Sequence, residues 1–185
     1  MMNLPNLITI ARLLLVPVTV WLIISGAYGY AFLAFIAAGI GDGVDGAIAR
    51  RWGWRSELGA YLDPIADKAL LVSIYVALGV LKFLPAWLVI LVVSRDILIV
   101  GAVILSWLMD RPLRMQPLVT SKVNTAAQIV FAGAVLGVLE LRVDIEPLLT
   151  AGTILVAALT AASGALYLAA WLRHMANGGK DAAKP

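Results

Sequence analysis

Two pairs of aspartates lie close together in an otherwise apolar part of the chain. Asp42 and Asp45 are three residues apart, and Asp63 and Asp67 are four residues apart. Residues at these spacings share one face of a helix, so each pair can present two carboxylates together. A carboxylate on a membrane helix costs up to ~3 kcal/mol near the bilayer centre and less towards the ends. Four such groups repel one another, and they predict divalent cations with a diphosphate substrate completing the coordination.

The composition narrows the metal chemistry. The chain has no cysteine and a single histidine, His174. These counts exclude a disulfide scaffold, thiolate metal sites, a cysteine nucleophile and a multi-histidine zinc site. Hard oxygen ligands suit Mg²⁺, Ca²⁺ or Mn²⁺. His174 follows the last apolar stretch, and we expect it at the membrane interface.

Small residues and an arginine surround the aspartates. Gly46 and Ala49 follow the first pair, and Gly59 lies one turn before Asp63. Missing side chains let a ligand approach the backbone, although they also permit close helix packing. Arg50 can clamp a phosphate oxygen in fork geometry, although a basic residue beside a membrane span can also serve only to orient it.

Some of the aspartates also have a structural explanation when taken alone. Asp63 precedes Pro64, so it could cap a helix that begins at the proline. Asp67 and Lys68 could form a surface ion pair. Four structural carboxylates at this spacing would be a rare arrangement, because intramembrane carboxylates are rare. The functional interpretation is therefore favoured for the group.

Six apolar stretches must position these side chains. Of the 185 residues, 62% are apolar, and the mean hydropathy is +0.96, which exceeds the roughly half-apolar norm of soluble domains. Each stretch is near the ~20 residues that cross ~30 Å of hydrocarbon as a helix. We predict an all-α integral membrane protein with six transmembrane helices, a membrane domain over 1–176 and a polar tail over 177–185. The stretches cover roughly residues 7–25, 30–49, 60–81, 85–108, 121–139 and 147–172.

Basic residues are concentrated in the connections on one side of the predicted spans. The opposite connections hold only Lys82 and Arg142. By the positive-inside rule both termini face the cytoplasm, and we expect a multi-pass protein of a bacterial cytoplasmic membrane with its site on the cytoplasmic side. The net charge of +3 suits anionic lipid headgroups, and no nucleic-acid partner is expected. The residues that set this orientation are Arg50, Arg51, Arg55, Arg111, Arg114, Lys122, Arg173, Lys180 and Lys184.

The N-terminal segment predicts a retained first helix. Residues Met1 to Asn6 contain no Lys or Arg, and Arg12 already lies inside the first apolar stretch. A cleaved signal peptide has a basic start and a small-residue cleavage site. We therefore expect the first stretch to remain as a membrane span.

The spacing of the aspartate region resembles a known signature. From Asp42 to Asp67 the chain reads D-x2-D-G-x2-A-R-x8-G-x3-D-x3-D. This pattern is similar to the signature of the CDP-alcohol phosphatidyltransferase family. The resemblance implies a six-helix fold, usually homodimeric, around a cytoplasm-facing polar cavity. It also implies two divalent ions, Mg²⁺ or Mn²⁺, and CDP-diacylglycerol as the donor.

The resemblance also assigns roles to individual residues. It implies that Asp42, Asp45, Asp63 and Asp67 hold the metal ions, and that Asp67 is the general base. It further implies that the cytidine and diphosphate pocket is lined by Asp42, Gly46, Ala49, Gly59 and Asp63.

Weaker signals bear on the acceptor alcohol. Ser94-Arg95-Asp96 and the segment from Ser121 to Gln128 resemble the cardiolipin synthase branch of this family, whose acceptor is phosphatidylglycerol. The branch that uses glycerol 3-phosphate typically has a second lysine where this chain has Asn124, two residues after Lys122. A small dianion gains from two cations, so this difference favours the lipid acceptor. The alternative is that Asn124 is a neutral substitution.

Arg95 and Asp96 need partners inside the membrane. Neighbouring helical residues do not face each other, so we expect each to find a partner elsewhere. A phosphate in the cavity or an ion pair with another helix would serve Arg95.

Two other functional classes fit the aspartates less well. A cation-coupled transporter predicts carboxylates near the membrane midplane and internal repeats, whereas these cluster towards one end and no repeat is visible. A membrane prenyltransferase also binds diphosphate through aspartates, but on widely separated helices. An assay for CMP release from CDP-diacylglycerol would distinguish a phosphatidyltransferase from a transporter and from a prenyltransferase.

Overall fold

Six α-helices account for the regular structure of the described chain. The computed structural model describes residues 4–52, 57–109, 119–143 and 146–176, with their side chains except at 4–9, 42–65, 67 and 107. The helices are α1 Leu4–Ile24, α2 Tyr28–Trp52, α3 Glu57–Val80, α4 Ala86–Leu108, α5 Val119–Leu141 and α6 Glu146–Ala176.

The predicted apolar stretches are confirmed as helices. The largest shift of a single boundary is at the end of the sixth, which runs on to Ala176 instead of stopping near residue 172. Within the part of the chain that the structure describes, three helices are long and apolar enough to cross a membrane, namely Ala86–Ser106, Val119–Leu141 and Glu146–Ala176. Shorter apolar segments lie within the other three helices, at Ile10–Ile24, Tyr28–Gly41 and Lys68–Val80.

Two of the turns use the same hydrogen-bonded helix ending. After α1, the Ala27 N–H donates to the Leu22 carbonyl at 2.9 Å, and Gly26 has a φ of 75°. After α3, the Phe83 N–H donates to the Leu78 carbonyl at 2.9 Å, and Lys82 takes the left-handed position with a φ of 63°. This ending satisfies carbonyls that a helix terminus leaves unpaired.

The first of two compact units comprises Met1–Leu84 with Ile129–Glu146. Within it, α1 packs against both α2 and α3. Its core contains fully buried side chains from each of these helices, among them Ile23, Ala31 and Ile74. In the α5 segment, Gly133 lies against Phe32 and Phe35 of α2, where an added Cβ would still be 3.7 Å from each ring.

A carboxylate from α5 secures the start of α2 in this unit. The Gly29 N–H donates to Glu140 Oε2 at 2.7 Å, which satisfies one of the amides that a helix start leaves unpaired. A negative charge there also interacts favourably with the helix dipole. Gly29 is the second residue of α2, and a Cβ there would come within 2.7 Å of Glu140 Cδ.

We therefore expect Gly29 and Glu140 to be energetically coupled. Alanine in place of glycine favours a helix by ~0.5–1 kcal/mol, but at position 29 it must displace the Glu140 carboxylate. Gly29→Ala should be less favourable by about 1 kcal/mol in the wild type than in a Glu140→Ala background. Thermal denaturation of the four proteins in detergent measures this difference.

Gly39 provides the matched control on the same helix. A Cβ there would meet nothing within 4 Å, so Gly39→Ala should have the same effect in both backgrounds. An equal effect of Gly29→Ala in the two backgrounds would contradict the coupling.

The second unit comprises Pro85–Gln128 with Pro147–Pro185. Hydrogen bonds between side chains join its helices. The Trp171 indole N–H of α6 donates to Ser106 Oγ of α4 at 2.9 Å, and the Ser106 hydroxyl donates to the Ala102 carbonyl at 2.6 Å. Ser106 is fully buried, so this pair satisfies polar groups that would otherwise be costly inside the unit.

Candidate functional site

The four aspartates lie on the two helices where the sequence predicts them. Positions 42 and 45 are in the second half of α2, and positions 63 and 67 are in the first half of α3. Their side chains lie outside the described part of the chain, as do those at positions 46, 49, 50 and 59. The convergence of Asp42, Asp45, Asp63 and Asp67, and the pocket roles of Gly46, Ala49, Arg50 and Gly59, therefore stay predictions.

The buried faces of both helices lead towards these positions. On α2, buried side chains recur at Ala31, Phe35 and Ala38, and the same spacing continued along the helix reaches positions 42 and 45. On α3, Leu70 and Ile74 are buried, and the same spacing in the other direction reaches 67 and 63. A donor set made only of carboxylates fits a hard divalent cation.

Arg95 is the centre of a buried polar cluster in the second unit. It is 4% exposed, and its Nη1 donates to Asp96 Oδ1 at 2.7 Å. Its Nη2 donates to Ser121 Oγ on α5 at 2.6 Å and to Ser163 Oγ on α6 at 2.8 Å. We call Arg95, Asp96, Ser121 and Ser163 the arginine tier.

The expectation that Arg95 and Asp96 do not interact with each other was wrong. They pair directly, although they are adjacent in sequence, because the long arginine side chain turns back to the carboxylate next to it. Arg95 also has partners on other helices, but these are two serine hydroxyls rather than the predicted ion pair. A buried guanidinium paired in this way adds little net charge to its surroundings.

A second set of hydrogen bonds lies one helical turn away. The Gln128 Nε2 donates to Thr160 Oγ1 at 3.2 Å, and the Thr160 hydroxyl donates to Asn124 Oδ1 at 2.9 Å. All three side chains are at most 1% exposed. We call Asn124, Gln128 and Thr160 the amide tier. Because 121 and 163 meet through Arg95 while 124 meets 160, α5 and α6 run antiparallel here.

Each tier contains a buried donor with no partner among the described residues. In the arginine tier this donor is Arg95 Nε, and in the amide tier it is Asn124 Nδ2. A buried donor left unsatisfied costs about 1–3 kcal/mol, so such groups are uncommon in folded proteins. A ligand oxygen is one group that could accept from them.

Arg95, Lys122 and Asn124 are the three candidate acceptor-binding residues of the sequence, and Lys122 lies apart from the other two. Lys122 is exposed, whereas Asn124 is fully buried. Residues two apart on a helix do not share a face, so the two cannot act as a side-by-side pair. The structure thus brings together Arg95 and Asn124 through α5 and α6 and leaves Lys122 on a different side of α5.

Sequence reasoning missed the contribution of α6. Thr160 and Ser163 are fully or almost fully buried and complete both tiers. Their only sequence signal is a pair of hydroxyl side chains three residues apart in an apolar helix. His174 lies within the last turn of α6 and is only 8% exposed, and its place at the membrane interface stays a prediction.

Comparison with known proteins establishes the family. A model of the CDP-alcohol phosphatidyltransferase family matches residues 2–172. The chain therefore belongs to the CDP-alcohol phosphatidyltransferase family, as the spacing of its aspartates predicts.

Individual relatives include two types of phospholipid synthase. The chain is 36% identical over 154 residues to the probable cardiolipin synthase (CMP-forming) of Drosophila melanogaster, covering 74% of this chain and 47% of that protein. It is 35% identical over 148 residues to the cardiolipin synthase (CMP-forming) of Homo sapiens, covering 71% and 49%. A CDP-diacylglycerol–glycerol-3-phosphate 3-phosphatidyltransferase of Oryza sativa, a chloroplastic protein, is 36% identical over 152 residues, covering 73% and 46%.

Sequence identity does not distinguish between the two candidate acceptor alcohols. The chain spans about half the length of the curated relatives it matches. The rice and fly proteins are equally similar to it by percentage identity, although their names specify different products.

Proposed function

We propose that this protein transfers a phosphatidyl group from CDP-diacylglycerol to phosphatidylglycerol, which gives cardiolipin and CMP. Family membership supports the donor, and two similar proteins carry the name cardiolipin synthase (CMP-forming). The observation that carries the choice of acceptor is the 2.7 Å ion pair between Arg95 and Asp96.

The Arg95–Asp96 ion pair affects which acceptor charge the site can accommodate. Glycerol 3-phosphate is a dianion at neutral pH, whereas phosphatidylglycerol carries a single phosphodiester charge. Because Asp96 offsets Arg95, and Asn124 is neutral, the two tiers offer hydrogen-bond donors without a strong net positive charge. A monoanionic phosphodiester suits such a site better than a dianion, whose burial without counter-charge is costly. Glycerol 3-phosphate remains the second candidate acceptor, because the rice relative is named for it.

The proposed reaction is a direct displacement at phosphorus. A hydroxyl oxygen of the acceptor forms a bond to the phosphatidyl phosphorus, and the bond from that phosphorus to the CMP oxygen breaks. Asp67 takes the hydroxyl proton, because an alcohol is too weak a nucleophile while it keeps that proton. CMP leaves with the bonding electron pair. Gly46, Ala49 and Gly59 leave room for the cytidine and diphosphate, and Arg50 holds a phosphate oxygen.

Asp42, Asp45, Asp63 and Asp67 would together hold two divalent ions. When bound, Mg²⁺ or Mn²⁺ neutralises charge on the diphosphate and on the departing CMP. The absence of cysteine from the chain leaves oxygen as the principal donor for these ions.

A product assay tests the acceptor. Purified protein is given CDP-diacylglycerol with phosphatidylglycerol or with glycerol 3-phosphate, and the lipid product is identified by mass spectrometry. We expect cardiolipin and CMP from the first mixture. Ready formation of phosphatidylglycerophosphate without cardiolipin would reject this acceptor and leave the family assignment in place.

We further propose six spans, a homodimer and a cytoplasmic site in a bacterial inner membrane. The asymmetry of basic residues predicts that position 114 is inside and position 142 outside. The chain has no native cysteine, so Arg114→Cys and Arg142→Cys give clean single labels. In intact cells a membrane-impermeant maleimide should label Cys at 142 only. Labelling at 114 instead would reverse the proposed orientation.

A further inference from the structure

The direction of the hydrogen bonds in the amide tier fixes the Asn124 side chain. The Gln128 Nε2 can only donate, so Thr160 Oγ1 accepts from it. The single hydroxyl proton of Thr160 is then available to Asn124 Oδ1. With its oxygen engaged, Asn124 must direct its Nδ2 hydrogens away from Thr160, and this nitrogen is the one without a described partner.

The arginine tier repeats this arrangement one turn along α5. Asp96, Ser121 and Ser163 engage both terminal nitrogens of Arg95 and leave its Nε without a partner among the described residues. Ser121 and Asn124 are separated by about 4.5 Å along the helix axis. Each tier therefore holds one fully buried donor without a partner among the described residues, and the α5 residues of the two tiers are one turn apart.

We propose that Thr160 is a positioning residue that directs the Asn124 amide towards a phosphate oxygen of the acceptor. This inference rests on the proposed function, since it takes the acceptor to be an anionic phosphate ester. Thr160 does not touch the substrate. It acts by holding the amide in the one orientation that presents its N–H groups, while Arg95 Nε supplies the neighbouring donor.

Thr160→Val is the direct test, because valine keeps the branched shape and removes the hydroxyl. In mixed micelles, the variant should raise the KM for phosphatidylglycerol about tenfold, while the KM for CDP-diacylglycerol stays within twofold of the wild type. Tenfold corresponds to about 1.4 kcal/mol. Thr160→Ser retains the hydroxyl and should restore the acceptor KM to within about twofold.

Ser106→Ala is the matched control in the same unit. Ser106 is also a fully buried hydroxyl that links α4 and α6, but its partners are Trp171 and Ala102 rather than either tier. It should lower thermal stability without changing the acceptor KM. If Ser106→Ala and Thr160→Val raise that KM equally, Thr160 has only a structural role and the proposal fails.

A double-mutant comparison tests whether Thr160 affects the acceptor KM through Asn124. In an Asn124→Ala background, Thr160→Val should produce no further rise in the acceptor KM. An undiminished tenfold rise there would overturn the proposal. Should the valine variant fail to purify as a folded protein, Thr160→Ala carries the same comparison.

Failure of the Thr160 proposal can be distinguished from failure of the proposed function. If the wild type turns out to use glycerol 3-phosphate, the acceptor assignment falls, and the same KM comparison is made with that phosphate ester. A tenfold effect then still supports Thr160 as a positioning residue, and no effect rejects it.

Discussion

Asp67→Asn is expected to lower kcat by about 10²–10⁴-fold, the usual loss on removal of a general base. Asparagine keeps the size of the side chain but cannot accept the proton of the acceptor hydroxyl. Three other aspartates and the pocket residues would still hold the donor, so most of the affinity for CDP-diacylglycerol should survive. CMP release measures turnover, and equilibrium binding of CDP-diacylglycerol measures the pocket.

Glu146→Gln is a suitable control for this variant. It makes the same change from carboxylate to amide in the first turn of α6, outside the aspartate motif, and should leave turnover unchanged. Near-normal turnover of Asp67→Asn would refute its role as base. Loss of donor binding along with turnover would instead assign Asp67 mainly to metal ligation.

Removal of divalent metal is expected to abolish turnover. The aspartates at 42, 45, 63 and 67 would repel one another without cations, and the diphosphate would lack the charge neutralisation that makes CMP a good leaving group. Excess EDTA should stop CMP release, and addition of Mg²⁺ or Mn²⁺ beyond the chelator should restore it.

EDTA already saturated with Mg²⁺ is the control for effects of the chelator on detergent or lipid, and it should leave activity intact. Binding of Mn²⁺ followed by electron paramagnetic resonance gives a readout independent of turnover. Asp42→Ala combined with Asp63→Ala should abolish that binding. Full activity in free EDTA would exclude the two-metal proposal.

The helices could be predicted from the sequence because their signals are local. A run of about 20 apolar residues specifies a helix wherever water is excluded. The aspartate positions on α2 and α3 followed from the same periodicity. The arrangement of those four side chains depends on contacts between helices, which local patterns do not specify.

The polar tiers could not be predicted for a different physical reason. Thr160 and Ser163 are weakly polar residues in an apolar helix, and their role depends on which residues of α4 and α5 they meet. The Arg95–Asp96 pair also escaped prediction, because the rule that adjacent helical residues point apart describes Cβ directions. It does not account for the reach of a long, flexible arginine side chain.

That local ion pair has a consequence for how α4 enters the membrane during synthesis. α4 leaves the ribosome before α5 and α6 exist, so Ser121 and Ser163 cannot yet bind Arg95. A lone arginine near the middle of an inserting helix costs roughly 2.5–3.5 kcal/mol on translocon-based scales. Asp96 is available at once, because it is the next residue in the chain and its Oδ1 lies 2.7 Å from Arg95 Nη1. The helix can therefore be inserted as an electrically neutral segment, and the later helices complete a site whose charge is already compensated.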